Sequence, residues 1–176
     1  MTSLSDIQVL IVDDSRPMRL VMRSLLRAAG VNRVAEAEIA LEALDYMRLS
    51  PVDIILLDWK MHPVDGLAFT RRVRQDEDSP NPYAPILMMT AHTEASRVAA
   101  ARDAGVTGFL KKPISARLLF ERMSSALLDE REFIRAGDFF GPDRRQRTLG
   151  DYRGPFRRAS DRAADTLDLD DVGGRA

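Results

Sequence analysis

Val9-Leu10-Ile11-Val12-Asp13-Asp14 is an apolar tetrapeptide closed by two carboxylates. The run is too short to be a helix. It also lacks the polar alternation of a strand with one wet face, so it reads as a strand buried on both sides of a parallel sheet. The same form recurs in Asp53-Ile54-Ile55-Leu56-Leu57, closed by Asp58, in Ile86–Met89, closed by Thr90, and in Gly108–Lys111, followed by Lys112. A weaker strand is expected at Arg33–Ala37. Helix-period segments separate these runs. One starts near Pro17, carries Val21, Met22, Leu25 and Leu26, and stops at Gly30; another spans Ala40–Leu49 and is broken by Pro51. Further helices are expected at Gly66–Gln75, at Glu94–Ala104, and from about Ser115 to Phe133. The alternation predicts an α/β fold, a doubly wound five-stranded parallel sheet of the flavodoxin-like kind. Ligands of such sheets bind beyond the carboxyl ends of the strands.

The spacing divides the chain into a domain over residues 5–134 and an irregular tail over 135–176, arginine-rich and then acidic. With 176 residues and a formal net charge of −1, one full core plus an appendage is expected, without bulk attraction to nucleic acid or membrane surfaces. The chain has no cysteine, which excludes disulfides, thiolate chemistry and cysteine-based zinc sites. No apolar run approaches the ~18–20 residues of a membrane span, so a soluble, cytoplasmic protein is expected. Only Lys60, Lys111 and Lys112 are lysines among the 26 basic residues. Because arginine predominates along the whole chain, an arginine carries information through its position alone.

Asp13, Asp14, Asp58, Thr90 and Lys112 all fall at or just past strand ends, so the fold would gather them at one rim. Clustered carboxylates repel one another, and an all-oxygen donor set favours a hard cation that keeps several waters. Magnesium fits, held by Asp14, Asp58 and, through water, Asp13, with the backbone carbonyl near Lys60. The Thr90 hydroxyl and the Lys112 ammonium would then bind the oxygens of a phosphoryl group carried on an aspartate. Any one Asp at a strand end is more simply a helix cap or a solvated side chain; the chemistry rests on the five together.

These residues and their flanks resemble a known family. Val9–Asp14, Leu-Leu-Asp-Trp-Lys-Met-His-Pro-Val-Asp-Gly at 56–66, Met-Met-Thr-Ala at 88–91 and Gly-Phe-Leu-Lys-Lys-Pro-Ile at 108–114 resemble the receiver domain of two-component response regulators. The likeness is greatest to the stand-alone, chemotaxis-type receivers and covers about residues 5–130. It implies that Asp58 accepts phosphate from a histidine kinase or phosphotransfer protein and that Asp13 and Asp14 bind metal. It also implies that Thr90 is the switch hydroxyl, Phe109 the aromatic that changes rotamer, and Lys112 the phosphate-binding lysine. A downstream protein partner would read the face made by the fourth helix, fifth strand and fifth helix. No enzymatic output is expected beyond self-phosphorylation and self-dephosphorylation. The chain departs from the family at Met61-His62-Pro63-Val64-Asp65-Gly66, where the proline is displaced by one residue. Lys60 and His92, each two residues past a site residue, would flank an attacking water and tune the phosphoryl lifetime; the plainer reading is two solvated loop side chains.

The tail repeats a motif: Gly141-Pro142-Asp143-Arg144-Arg145 is echoed by Gly154-Pro155-Phe156-Arg157-Arg158. Each copy is expected to set a glycine–proline turn before an arginine pair. From Arg135 to Arg162 there are eight arginines against Asp138, Asp143, Asp151 and Asp161. Guanidinium groups bind phosphates and stack on bases, and an Arg158–Asp161 pair would read both edges of a guanine. The duplication resembles the arginine-rich tails of chemotaxis-like receivers that bind cyclic di-GMP, which makes a nucleotide-binding adaptor the alternative reading. A tail that docks on a protein is its bland competitor. DNA binding is not expected, since the tail is short and offers only Tyr152, Phe156 and Phe139-Phe140 for stacking. A phosphohydrolase of the haloacid-dehalogenase type is disfavoured, because Lys60 stands where such enzymes usually carry a second aspartate.

Overall fold

The structure is a computed structural model that describes residues 4–91 and 94–143. After a 3-10 turn at Leu4–Asp6, strands β1 (Gln8–Val12), β2 (Arg33–Ala37), β3 (Ile54–Asp58), β4 (Ile86–Thr90) and β5 (Gly108–Lys111) alternate with five helices. These are α1 (Arg16–Ala28), α2 (Ala40–Leu49), α3 (Gly66–Gln75), α4 (Ala95–Ala104) and α5 (Ala116–Leu127). The strands form one parallel sheet in the order β2-β1-β3-β4-β5. This is the expected doubly wound arrangement.

The central strands are buried on both faces, and their side chains sort by parity. Leu10, Val12, Ile55, Leu57, Ile86, Met88 and Phe109 point to one cluster, closed by Ala43 and Met47 of α2, Phe69 and Val73 of α3, and Val98 and Ala101 of α4. Val9, Ile11, Ile54, Leu56, Leu87, Met89 and Leu110 point to the other, closed by Met22 and Leu26 of α1 and Leu119 and Met123 of α5. Burying each large aliphatic side chain contributes about 1.5–3 kcal/mol. Three helices start on side-chain caps: Ser15 accepts from the Met18 amide, Asp65 from Ala68 and Ser115 from Leu118.

The structure departs from the sequence reading at the end of the domain. The last helix stops at Leu127, not Phe133. Arg131 folds back there, donating to the Thr107 carbonyl at 2.8 Å and pairing with Asp129. Residues expected to be helical or irregular instead form an antiparallel hairpin, β6 (Phe133–Ala136) and β7 (Phe139–Pro142), with Arg135 opposite Phe140 and Ile134 opposite Gly141. Its tip, Gly137-Asp138, is a two-residue connection, and Gly137 takes a φ of 59° that suits such turns. Gly141-Pro142 is therefore not a turn: both residues lie in β7 and are buried.

The hairpin packs on the α3–α4 side at the amino end of the sheet. Phe133, Phe140 and Tyr83 form an aromatic triangle with centroid separations of 5.3, 5.4 and 5.5 Å. Phe140 is buried there, so it does not serve as a free stacking platform. Arg74 lies underneath, its guanidinium 5.1 Å from the Phe133 ring centroid. It donates to the carbonyls of Gly105 (2.9 Å) and Pro82 (2.7 Å). Burial lowers its pKa to about 9, which leaves it charged at neutral pH.

Candidate functional site

The parallel register brings the ends of β1, β3, β4 and β5 to one rim, and the expected residues meet there. Carboxylate oxygens of Asp13, Asp14 and Asp58 lie within 4.8 Å of one another. Lys112, just past β5, reaches across with its Nζ 2.7 Å from Asp58 Oδ1 and 3.9 Å from Asp13 Oδ2. Its backbone amide donates to the Thr90 carbonyl at 2.8 Å, which ties the lysine to the end of β4. Thr90 is 2% exposed at that end.

The three carboxylates have different environments. Asp13 is 1% exposed; its Oδ1 accepts the Ser15 amide at 2.8 Å, while its Oδ2 is buried without a hydrogen-bond partner. Burial raises the Asp13 carboxyl above its ordinary pKa, against the lowering effect of the Ser15 amide; Asp58 raises it further and Lys112 opposes. Asp14 is at the solvent edge and accepts the His62 amide at 3.2 Å through Oδ2. Asp58 is buried at the floor, paired with Lys112. A buried carboxylate oxygen that lacks a donor and faces two other carboxylates is the donor set a hard divalent cation requires.

The loop after β3 is shaped by Gly66. A Cβ built at that position would stand 2.5 Å from the Asp58 carbonyl oxygen and 3.2 Å from Trp59 Cα. Only glycine lets the start of α3 pass this close to the end of β3, and its amide donates to the Trp59 carbonyl at 2.9 Å. The His62–Pro63 peptide in this loop is cis. Trp59 is half-buried against the α2–α3–α4 cluster, with its amide bonded to the Met89 carbonyl. Lys60 is exposed beside the pocket. Phe109 is buried in the same core cluster as Val98, not out on the surface.

Arg19 escaped the sequence reading. It is buried, donates through Nη1 to the Asp13 carbonyl at 2.7 Å, and sits between Glu36 and Glu38 at 3.4 Å each. It fixes the backbone from which Asp13 and Asp14 project. Its signal was an arginine on the inward face of α1, in helical register with Met22 and Leu26. His92 and the tail residues Arg144, Arg145, Arg157, Arg158 and Asp161 lie outside the described residues.

Among the described residues, no helix is long and apolar enough to cross a membrane. The family model described as "Response regulator receiver domain" matches residues 9–124. Chemotaxis protein CheY-3 of Vibrio cholerae is 34% identical over 118 residues, covering 67% of this chain and 89% of its own. Chemotaxis protein CheY of Pseudomonas aeruginosa is 35% identical over 116 residues, covering 66% of this chain and 92% of its own. Among solved structures, the chemotaxis protein CheY4 of Vibrio cholerae superimposes with a TM-score of 0.63 at 31% identity, over 68% of this chain and 98% of its own. The receiver domain of the sensor histidine kinase PA1611 of Pseudomonas aeruginosa, with a magnesium ion coordinated in its active-site cleft, gives 0.61 at 25% identity, over 69% and 97%.

Proposed function

Because this chain belongs to the response regulator receiver family, we propose that Asp58 is the phospho-acceptor of its acidic pocket and that Lys112 and Thr90 serve it. The fold's output is phospho-accepting signalling, not turnover of a substrate, and receivers of this kind work between a kinase and downstream partners. The observation that carries the assignment is the Lys112–Asp58 contact of 2.7 Å inside a three-carboxylate pocket. An Asp58 carboxylate oxygen attacks phosphorus and a P–O bond forms as the bond to the donor's leaving nitrogen or oxygen breaks. Lys112 holds one transferred oxygen, and Thr90, at the adjacent strand end, offers its hydroxyl to another. A magnesium ion held by Asp13, Asp14, Asp58 and the Lys60 carbonyl would supply the positive charge that offsets repulsion between carboxylate and anionic donor. Phe109 pairs with Met88, two residues before Thr90 in the β4–β5 register, and shares its cluster with Val98 of α4. Its packing therefore links the pocket to the face of α4, β5 and α5, where a downstream partner would read the state. Lys60, exposed beside the pocket, and His92, two residues past Thr90 in sequence, are proposed to set how fast water removes the phosphoryl group.

Incubation with acetyl phosphate and magnesium, resolved on a phosphate-affinity gel, tests the assignment. We expect one retarded species in the wild type and none in Asp58→Asn; retardation of the variant would refute the acceptor.

The duplicated Gly-Pro-x-Arg-Arg motif supports a finer reading, in which Arg144, Arg145, Arg157, Arg158 and Asp161 bind cyclic di-GMP as a second input. Calorimetric titration of the full chain with that nucleotide tests it. Binding lost on neutralising the four arginines is expected, and no heat at high micromolar ligand would end the reading.

A further inference from the structure

Helix α4 is held unusually. Its buried side chains are only Val98, Ala101 and Ala104, it starts without a side-chain cap, and its packing partners are chiefly α3 and strand β7 of the hairpin. Small side chains give a helix little lateral purchase on a sheet. At its other end the contact is tight. Gly105, the left-handed cap of α4 (φ 99°), meets Gly141 of β7 so closely that a Cβ at Gly141 would stand 2.9 Å from Gly105 Cα, and a Cβ at Gly105 2.7 Å from the Phe140 carbonyl oxygen. Arg74 seals the joint, bonded to the Gly105 carbonyl and covered by Phe133, and Gln75 of α3 donates to the Asp138 carbonyl at the hairpin tip.

We infer that the β6–β7 hairpin is a clasp on the far end of α4, and that phosphoryl occupancy at Asp58 and docking of the hairpin are coupled. The coupling rests on the Asp58 reading above. The near end of α4 follows Thr90 by five residues, so a Thr90 hydroxyl drawn to new phosphoryl oxygens pulls on the segment leading into the helix. The Gly105–Gly141 joint has no slack, so a displacement that reaches it forfeits contacts outright and loosens the clasp. Linkage then requires the converse: a hairpin that does not dock lets the pocket take a phosphoryl group more readily, by the same factor. The arginine-bearing segment follows directly in sequence after Asp143, so the clasp connects the pocket to that segment's point of attachment.

Hydrogen exchange of the full chain, followed by mass spectrometry with and without magnesium and beryllofluoride (a phosphoryl mimic), tests this. Intact mass after acetyl phosphate treatment, compared between the wild type and Asp58→Asn, establishes in parallel that Asp58 is modified. We expect amides of 133–143 to exchange at least about threefold faster in the loaded protein. Phe140→Ala, which opens the aromatic triangle without touching the pocket, should bind beryllofluoride more tightly by a similar factor. Unchanged or slower exchange in the wild type overturns the clasp, even if Phe140→Ala proves too unstable to assay. Unaltered affinity in a folded Phe140→Ala overturns it as well. Absence of modification at Asp58 would instead overturn the phospho-acceptor assignment, and the coupling with it.

Discussion

Replacing Asp13 with Asn should make the metal-free protein more stable while impairing its response to magnesium. The Asn side chain keeps the oxygen that accepts the Ser15 amide and removes the charge at the unpartnered Oδ2. At an effective dielectric of about 20, each like-charge pair at the 4.8 Å limit costs ~3.5 kcal/mol, and the opposing Lys112 contact at 3.9 Å returns ~4. Two repulsions less one attraction leave ~3 kcal/mol, which screening at half-exposed Asp14 and at Lys112 cuts to about 1–2 kcal/mol. For a domain of this size that is a melting-temperature rise of about 3–7 °C in chelator. The effect has a defined pH dependence. A carboxyl whose folded pKa is raised stabilises the fold below its unfolded value and loses that contribution as pH rises through the folded one. Wild type and variant should therefore coincide at or below pH 3.8, the ordinary value for this group, and diverge above it. Magnesium should reverse the order: at about a hundredfold excess over Kd a bound ion stabilises the wild type by ~2.7 kcal/mol, while the variant, short of one ligand, gains less. Differential scanning fluorimetry across pH, with and without magnesium, reads all of this. A variant no more stable than wild type in chelator, or one that gains equally from magnesium, would refute the electrostatic picture of the pocket.

Gly66→Ala should destabilise the fold by about 1–3 kcal/mol, because the added methyl meets the Asp58 backbone oxygen at 2.5 Å and backbone cannot step aside; chemical denaturation measures it, and a loss under about 0.5 kcal/mol would contradict the close approach. Lys112→Ala should leave Asp58 buried without its cation and slow phosphorylation by acetyl phosphate at least tenfold, as read by Trp59 fluorescence; an unchanged rate would remove Lys112 from the chemistry. Arg74→Leu should cost about 3–5 kcal/mol, since the Gly105 and Pro82 carbonyls lose their donor and the Phe133 ring its cation; thermal denaturation decides. Lys60→Ala and His92→Ala should change the phosphoryl half-life several-fold in a decay assay, and unaltered decay would leave both as solvated side chains.

The sheet and its rim were legible because uninterrupted apolar runs closed by Asp13, Asp58, Thr90 and Lys112 carry strand position and site chemistry in the same residues. Gly66–Gln75 and Gly108–Lys111 were bounded correctly from their turn residues and neighbours. The end of α5 was not legible. No glycine marks it, Asp129-Glu130-Arg131-Glu132 is compatible with a helix, and the stop is made by Arg131 reaching Thr107 across the fold. Once the helix was carried to Phe133, the Gly137-Asp138 hairpin signal between Phe133-Ile134 and Phe139-Phe140 was consumed by it. Arg19 and Arg74 were hidden for a different reason. In a chain rich in arginine, an inward-facing one differs from its neighbours only by what it meets, and both donate to backbone carbonyls that no side-chain pattern encodes, Arg19 with Glu36 and Glu38 beside it.

The most direct test of the pocket's role is to locate the phosphoryl group. Protein treated with acetyl phosphate and magnesium is reduced with borohydride, which converts an aspartyl phosphate to homoserine, and the digest is sequenced by tandem mass spectrometry. We expect homoserine at position 58 alone, and none when chelator replaces magnesium. Homoserine at Asp13 or Asp14, or unmodified Asp58 under conditions that leave the fold intact, would contradict the assignment.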